Sequence, residues 1–98
     1  MSGLANHEIV RRPIDTEKGR VLQETQNTYM FEVHRSANKI QVKGAIERLF
    51  GVRVKTVRTL IMRGKYKRRG MKFGRRPNWK KAFVTLQEGE SISVFEGV

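Results

Sequence analysis

The sequence predicts a small α+β domain: a four-stranded antiparallel sheet with two main helices in the order β-α-β-α-β-β, and a long basic hairpin loop before the last strand. Three observations predict it. Thr28 to Arg35 and Trp79 to Leu86 alternate with the period of half-buried strands. Asn38 to Gly51 carries apolar residues at the spacing of one helical face. From Arg63 to Lys81, ten of nineteen residues are Lys or Arg and none is acidic. With 98 residues the chain has room for one domain, which buries roughly 60 to 65 % of the surface its unfolded form exposes.

Ile9 to Ile14 reads as a short strand, with Pro13 near its end because proline cannot donate to a ladder. Asp15 or Thr16 is the expected N-cap of a first helix reaching about Gln23, with Glu17 in its positive first turn and Gly19 weakening it. In Thr28 to Arg35, Tyr29, Phe31 and Val33 share one side, and Met30, Glu32 and His34 the other. Asn38 and Gln41 make a capping box for the second helix. Val42, Ala45, Ile46 and Leu49 form its apolar face, and Gly51 stands at a left-handed C-terminal stop. Val52 to Met62 is rich in β-branched residues, but its apolar phase slips between Val54 and Val57, which predicts a bulge. In the last strand Ala82, Val84 and Leu86 oppose Lys81, Phe83 and Thr85. A turn at Glu88-Gly89 leads to a tail containing Ile92, Val94 and Phe95. Phe31, Val33, Ile46, Leu49 and Phe83 are the expected core.

Net charge is +12, and its placement is uneven. Residues 1 to 47 hold seven Lys or Arg against six acids, residues 48 to 87 hold fourteen against none, and residues 88 to 98 hold none against three. Such a segment repels itself until a polyanion neutralises it. Tyr66, Phe73 and Trp79 are interleaved with the cations, as stacking on unpaired bases requires, and Gly64, Gly70 and Gly74 permit close approach of backbone to phosphate. Arginine can fork onto phosphate or stack on a base, so Arg68, Arg69, Arg75 and Arg76 are expected to count for more than Lys65, Lys67 or Lys72. Trp79 serves equally as strand packing or RNA contact.

Other function classes find little support. There is no cysteine, which removes disulfides and thiolate metal sites, and only His7 and His34 offer imidazole. No nucleotide-binding glycine fingerprint follows a strand, so neither an enzyme nor a cofactor is expected. No apolar run approaches the ~20 residues of a membrane span, and the cations sit in a glycine-broken loop rather than on an amphipathic helix. The residues taken alone leave open a stand-alone RNA- or DNA-binding regulatory module.

Longer motifs narrow this. Lys80-Lys81-Ala82-Phe83-Val84-Thr85-Leu86-Gln87, followed by Phe95, resembles the signature of the universal large-subunit ribosomal protein twenty-three family. Pro13 with Thr16-Glu17-Lys18, Asn38-Lys39, Ile46 through Leu49-Phe50, and Thr59-Leu60 running to Gly64-Lys65 resemble it too. The loop pattern Arg69-Gly70, Gly74-Arg75-Arg76 and Trp79-Lys80-Lys81 is similar to the bacterial members.

The resemblance implies one rRNA-binding domain over residues 1–98 with an extended basic loop at 63–78. It implies a structural constituent of the large ribosomal subunit, ribosome-bound in the cytoplasm of a bacterium or in a plastid, seated on large-subunit rRNA at the nascent-peptide exit tunnel. Implied partners are that rRNA, neighbouring large-subunit proteins, trigger factor, the signal recognition particle, and the nascent chain near the loop tip. The implied rRNA contacts are Arg12, Lys18, Lys39, Lys43, Lys65, Lys67, Arg68, Arg69, Lys72, Arg75, Arg76, Trp79, Lys80 and Lys81. Glu17 and Phe50 match the chaperone-docking positions. Gly51 departs from those bacterial members that carry an acid there, which leaves Glu17 as the main docking charge.

Overall fold

A computed structural model of the chain describes residues 4–63, 66–69, 72–75 and 78–92. The elements run α1 (Asn6–Ile9), β1 (Val10–Pro13), α2 (Glu17–Gln26), β2 (Thr28–Val33), α3 (Lys39–Phe50), β3 (Val54–Met62), β4 (Tyr66–Arg69), β5 (Lys72–Arg75) and β6 (Trp79–Leu86). Four strands form one antiparallel sheet in the order β1-β2-β6-β3, and β4 pairs with β5 in a second, two-stranded sheet. The predicted α+β class and element order stand. Two features go beyond them: the single-turn helix α1, and strand pairing inside the basic loop.

One face of the large sheet carries the core. Tyr29, Phe31 and Val33 of β2 lie beside Ala82, Val84 and Leu86 of β6, and α3 covers them with Val42, Ala45 and Ile46; all nine are buried. This inner layer also takes in Ile9, Val10, Ala37, Val52, Val54 and Ile92. The Phe50 ring packs against Phe31 with centroids 5.8 Å apart. The C-terminal segment is held down at Ile92, whose backbone N–H donates to the Tyr29 hydroxyl at 3.2 Å. Of the other apolar tail residues, Val94 and Phe95 lie outside the described residues.

The second face is covered only in part. Helix α2 lies along β2 on that side, where Gly19 approaches Met30 so closely that a Cβ at Gly19 would stand 3.0 Å from the methionine's terminal methyl. Met30 is buried, so glycine here trades helix propensity for close packing on the sheet.

Caps and irregularities follow the residue types. Thr16, not Asp15, caps α2, its Oγ1 accepting from the Gly19 N–H at 3.1 Å. The helix runs one turn past the expected Gln23, to Gln26, and stops at left-handed Asn27 with φ of 51°. The Asn27 side chain then donates to the carbonyls of Gln87 and Glu90 at 3.3 and 3.1 Å, tying that stop to the end of β6. The capping box of α3 is complete: the Asn38 Oδ1 accepts from the Gln41 N–H at 2.9 Å and the Gln41 Oε1 from the Asn38 N–H at 3.0 Å. Gly51 ends that helix at φ of 64°. The bulge appears as a register shift between Val54 and Thr56. Across it the Glu47 carboxylate accepts from the Val54 N–H at 3.1 Å, giving that donor a partner.

Two expected core residues are placed elsewhere. Leu49 is 43 % exposed, because α3 turns only the Val42, Ala45, Ile46 stripe fully onto the sheet. Phe83 is half-buried on the second face, since alternation places it opposite Ala82 and Val84. Strand boundaries also tighten: β1 starts at Val10 and β2 ends at Val33.

Helix capping and core filling therefore differ in weight. Asn38→Ala is expected to cost about 1 kcal/mol, and Ile46→Ala, at a fully buried site, about 2 to 5 kcal/mol. Urea unfolding followed by circular dichroism checks both, and equal losses would contradict this assignment of the core.

Candidate nucleic-acid interface

Residues paired across an antiparallel ladder point to the same side of the sheet. Phe83 pairs with Met30 on one flank and Arg58 on the other; Lys81 pairs with Glu32 and Leu60, Thr85 with Thr28 and Thr56, and Trp79 with Met62. All of these belong to the second face. Because α2 covers only its β2 side, the part between β6 and β3 stays open.

On that open part cations and rings alternate. The Arg58 guanidinium carbon lies 5.0 Å from the Phe83 ring centroid. The Lys81 ammonium lies 5.6 Å from Phe83 and 5.7 Å from Trp79. At half-exposed positions each such contact contributes about 0.5 to 1 kcal/mol. More important is what it leaves on display: planar rings for stacking, with positive charge beside each one. Trp79 thus sits beside Lys81 on this open face, half-buried.

Arg58 is the residue that sequence reasoning missed. Its signal was present, because once the bulge at Val54/Thr56 is accepted, Thr56, Arg58, Leu60 and Met62 fall on the same side as Lys81 and Phe83. Hydrophobicity alone reads its partner Phe83 as core, which hides the pair.

The other expected contacts scatter. Arg12 is exposed on β1 and binds Glu32, Nε to Oε1, at 2.6 Å, so the acid nearest Lys81 in the ladder is already neutralised. Lys80 faces the inner side and donates its ammonium to the Ala37 carbonyl at 2.7 Å. That bond fixes the turn before α3 and is reason enough for a lysine. Lys18 lies exposed on α2, while Lys39 and Lys43 are exposed on α3, across the sheet.

In the basic hairpin the backbone pairs Tyr66 with Arg75, Lys67 with Gly74, Arg68 with Phe73 and Arg69 with Lys72. Lys65 and Arg76, with Gly64 and Gly70, lie outside the described residues. The register sets Arg69 directly opposite Lys72, a like-charge cross-strand pair that destabilises a ribbon lacking an anion. Root and tip pairs, Met62 with Trp79 and Arg69 with Lys72, are seven residues apart along the outgoing chain.

The two docking positions are on different helices. Glu17 opens α2 on the second face, exposed, and Phe50 closes α3 on the inner face, partly buried against Phe31. Gly51 has open space around it but a positive φ of 64°, so backbone strain, not crowding, favours glycine over an acid there. Next to Glu17, Arg20 forks onto Asp15, with Nε to Oδ1 at 2.9 Å and Nη2 to Oδ2 at 3.1 Å. These hydrogen bonds hold the Asp15 carboxyl below its ordinary value of 3.8. Elsewhere His7, Glu8, Arg11 and His34 line a shallow cleft, where the His34 Nδ1 accepts from the Ser36 N–H at 3.0 Å. Among the described residues no three His, Cys, Asp or Glu gather as a metal site, and no helix is long and apolar enough to cross a membrane.

Comparison with known proteins identifies a family. The family model described as Ribosomal protein L23 matches residues 8–94. The large ribosomal subunit protein uL23 of Anaeromyxobacter sp. (strain Fw109-5) is 60 % identical over 94 residues, covering 96 % of this chain and 97 % of that one. The protein of the same name from Desulforapulum autotrophicum is 48 % identical over 95 residues, covering 97 % and 100 %. That from Geobacter metallireducens is 48 % identical over 90 residues, covering 92 % and 96 %.

The Asp15–Arg20 fork has a pH signature. A carboxyl whose folded pKa is depressed stabilises the fold above its unfolded pKa and loses that contribution as pH falls through the folded one. Arg20→Met is expected to return the Asp15 titration, followed by carboxyl NMR shifts, upward toward 3.8. An unmoved titration would mean that Arg20 is not the cause.

Proposed function

The chain belongs to the ribosomal protein L23 family of the large ribosomal subunit, and from that premise we propose that it binds large-subunit rRNA beside the nascent-peptide exit tunnel. It is a structural constituent and not an enzyme, like the ribosomal proteins it resembles. Its work is neutralisation and placement.

The observation that carries the rRNA reading is the acid-free basic ribbon. Residues 48 to 87 hold fourteen cations and no acid, and within the ribbon Arg69 faces Lys72 across the ladder. A free protein gains nothing from such a pair, whereas a phosphate lying against the ribbon converts repulsion into attraction. In this reading the hairpin, with Lys65, Lys67, Arg68, Arg69, Lys72, Arg75 and Arg76, enters an rRNA crevice, and its tip reaches toward the nascent chain. Trp79 and Lys81 contact RNA at its root, Lys80 anchors that root to Ala37, and Arg12, Lys18, Lys39 and Lys43 meet phosphates around the body. Contacts with neighbouring large-subunit proteins complete the seat.

The surface left outward serves trigger factor and the signal recognition particle. Exposed Glu17 supports this, because it opens α2, which lies over β2, and stands outside both the core and the open part between β6 and β3. Its own helix-stabilising effect, about 0.3 to 1 kcal/mol, is separable from docking. The ribosome-bound form places the protein in the bacterial cytoplasm.

Deleting residues 65–76 is expected to weaken binding to large-subunit rRNA. If about six phosphates are contacted, the slope of log K against log salt flattens by roughly 4 to 5. Filter binding across a salt series measures it, and an unchanged slope would remove the hairpin from the interface. Sedimentation with large subunits in high salt separates this reading from a stand-alone regulatory module, which would wash off.

Reversing the docking charge by Glu17→Lys, in assembled large subunits, is expected to lower trigger factor affinity about tenfold while rRNA affinity stays constant. Co-sedimentation reads the first and filter binding the second. Unaltered chaperone binding would exclude Glu17 from the dock.

A further inference from the structure

Between α2 and β3, on the open side of the sheet, lies a cavity of about 210 Å³ lined by Leu22, Gln26, Thr28, Thr56, Arg58, Phe83 and Thr85. The structure assigns to it, we infer, the capture of one unpaired RNA nucleotide, its base stacked on the Phe83–Arg58 pair. This deepens the rRNA-binding reading and rests on it.

Size restricts the occupant first. Pockets for drug-sized ligands begin near roughly 300 Å³, so this space admits one planar ring system and little more. Chemistry restricts it further. The floor is an aromatic ring, and over it lies a guanidinium 5.0 Å from the centroid, a pairing that offers flat surfaces to a base and charge to its phosphate. None of the lining side chains is acidic. Lys81 stands beside the same ring, and Glu32, its ladder neighbour, is bound by Arg12. A negatively charged chain bearing flat bases matches both properties.

The hydroxyls add a direction. Thr28 Oγ1 donates to the Gln26 carbonyl at 3.1 Å, so in its 2.8 Å contact with Thr85 Oγ1 the proton comes from Thr85. That leaves the Thr85 oxygen with lone pairs and no proton to give. An exocyclic amine, as on cytosine, suits it.

The full-length protein, isotopically labelled, is to be titrated with a cytidine RNA hexamer and, in parallel, with an abasic ribose-phosphate hexamer and hexaglutamate. The RNA hexamer is expected to shift the amide or side-chain resonances of Thr28, Thr56, Arg58 and Thr85 and to move the Phe83 ring protons upfield. The abasic hexamer, whose phosphates can still meet Arg58, is expected to leave the Phe83 ring protons and the Thr28, Thr56 and Thr85 resonances in place. Phe83→Leu, which keeps an apolar floor without a ring, is expected to lower hexamer affinity about tenfold at an unchanged salt slope. The wild-type shifts report on the cavity whether or not that variant folds. Equal cavity shifts from the abasic hexamer would overturn the assignment, because phosphate alone would then suffice, and equal shifts from hexaglutamate would hand the site to an acidic peptide. Salt-dependent rRNA binding without cavity shifts removes the cavity and leaves the broader reading intact; absence of rRNA binding removes both.

Discussion

Strand β6 is hydrogen bonded on both edges, to β2 and to β3, and its strict alternation divides the molecule into two chemistries. Ala82, Val84 and Leu86 point to α3 and are buried; Trp79, Lys81, Phe83 and Thr85 point the other way and are only half-covered. Because the side-chain period of a strand is two, a one-residue slip would move the apolar set into water and the cations into the core. That exclusion fixes the register of the whole sheet. It also fixes where the basic ribbon departs, since the pairing ends at Met62 with Trp79.

Packing and binding are thereby separated on opposite sides of one layer. The inner side can be apolar and close-packed because it has no charge to host except Lys80, whose ammonium finds the Ala37 carbonyl. Among the described residues no buried side-chain nitrogen or oxygen lacks a hydrogen-bond partner. The outer side is under the opposite constraint. A helix covering it completely would have to bury Arg58 and Lys81, a cost that desolvation makes prohibitive without acids to pair them. Helix α2 therefore stays over β2, where Gly19 and Met30 meet, and the remainder stays open.

Acids are rationed along this chain, and four of its nine have partners that bear on the charge balance. Glu32 holds Arg12, Asp15 holds Arg20, Glu90 holds Arg53, and Glu47 satisfies the bulge at Val54. These contacts lie away from the hairpin, and residues 48 to 87, which contain it, hold no acid of their own. Excess charge concentrated in one ribbon favours association with a polyanion over self-folding of that ribbon, and phosphate binding and hairpin order are then linked. Glu17, an exposed acid opening α2, stands apart from that ribbon.

Local rules determined a good deal by themselves. Capping chemistry gave Asn38 and Gln41 their reciprocal bonds, a missing Cβ gave Gly51 its left-handed stop, and period-two alternation gave β6 both its ends. The basic ribbon was visible because charge is a property of residues and not of folding. Contacts between distant residues were not visible. Phe83 reads as core by hydrophobicity, yet which face is covered depends on where α2 and α3 dock, and only α3 covers its face fully. Arg58 could be paired with Phe83 only after the bulge had set the β3 register, and Lys80 acquired its partner from a turn forty-three residues away. The sequence by itself therefore determined the elements, their caps and the charge available for a polyanion. Only the tertiary structure decided which side of the sheet presents that charge, because coverage is a property of packing between elements far apart in the chain.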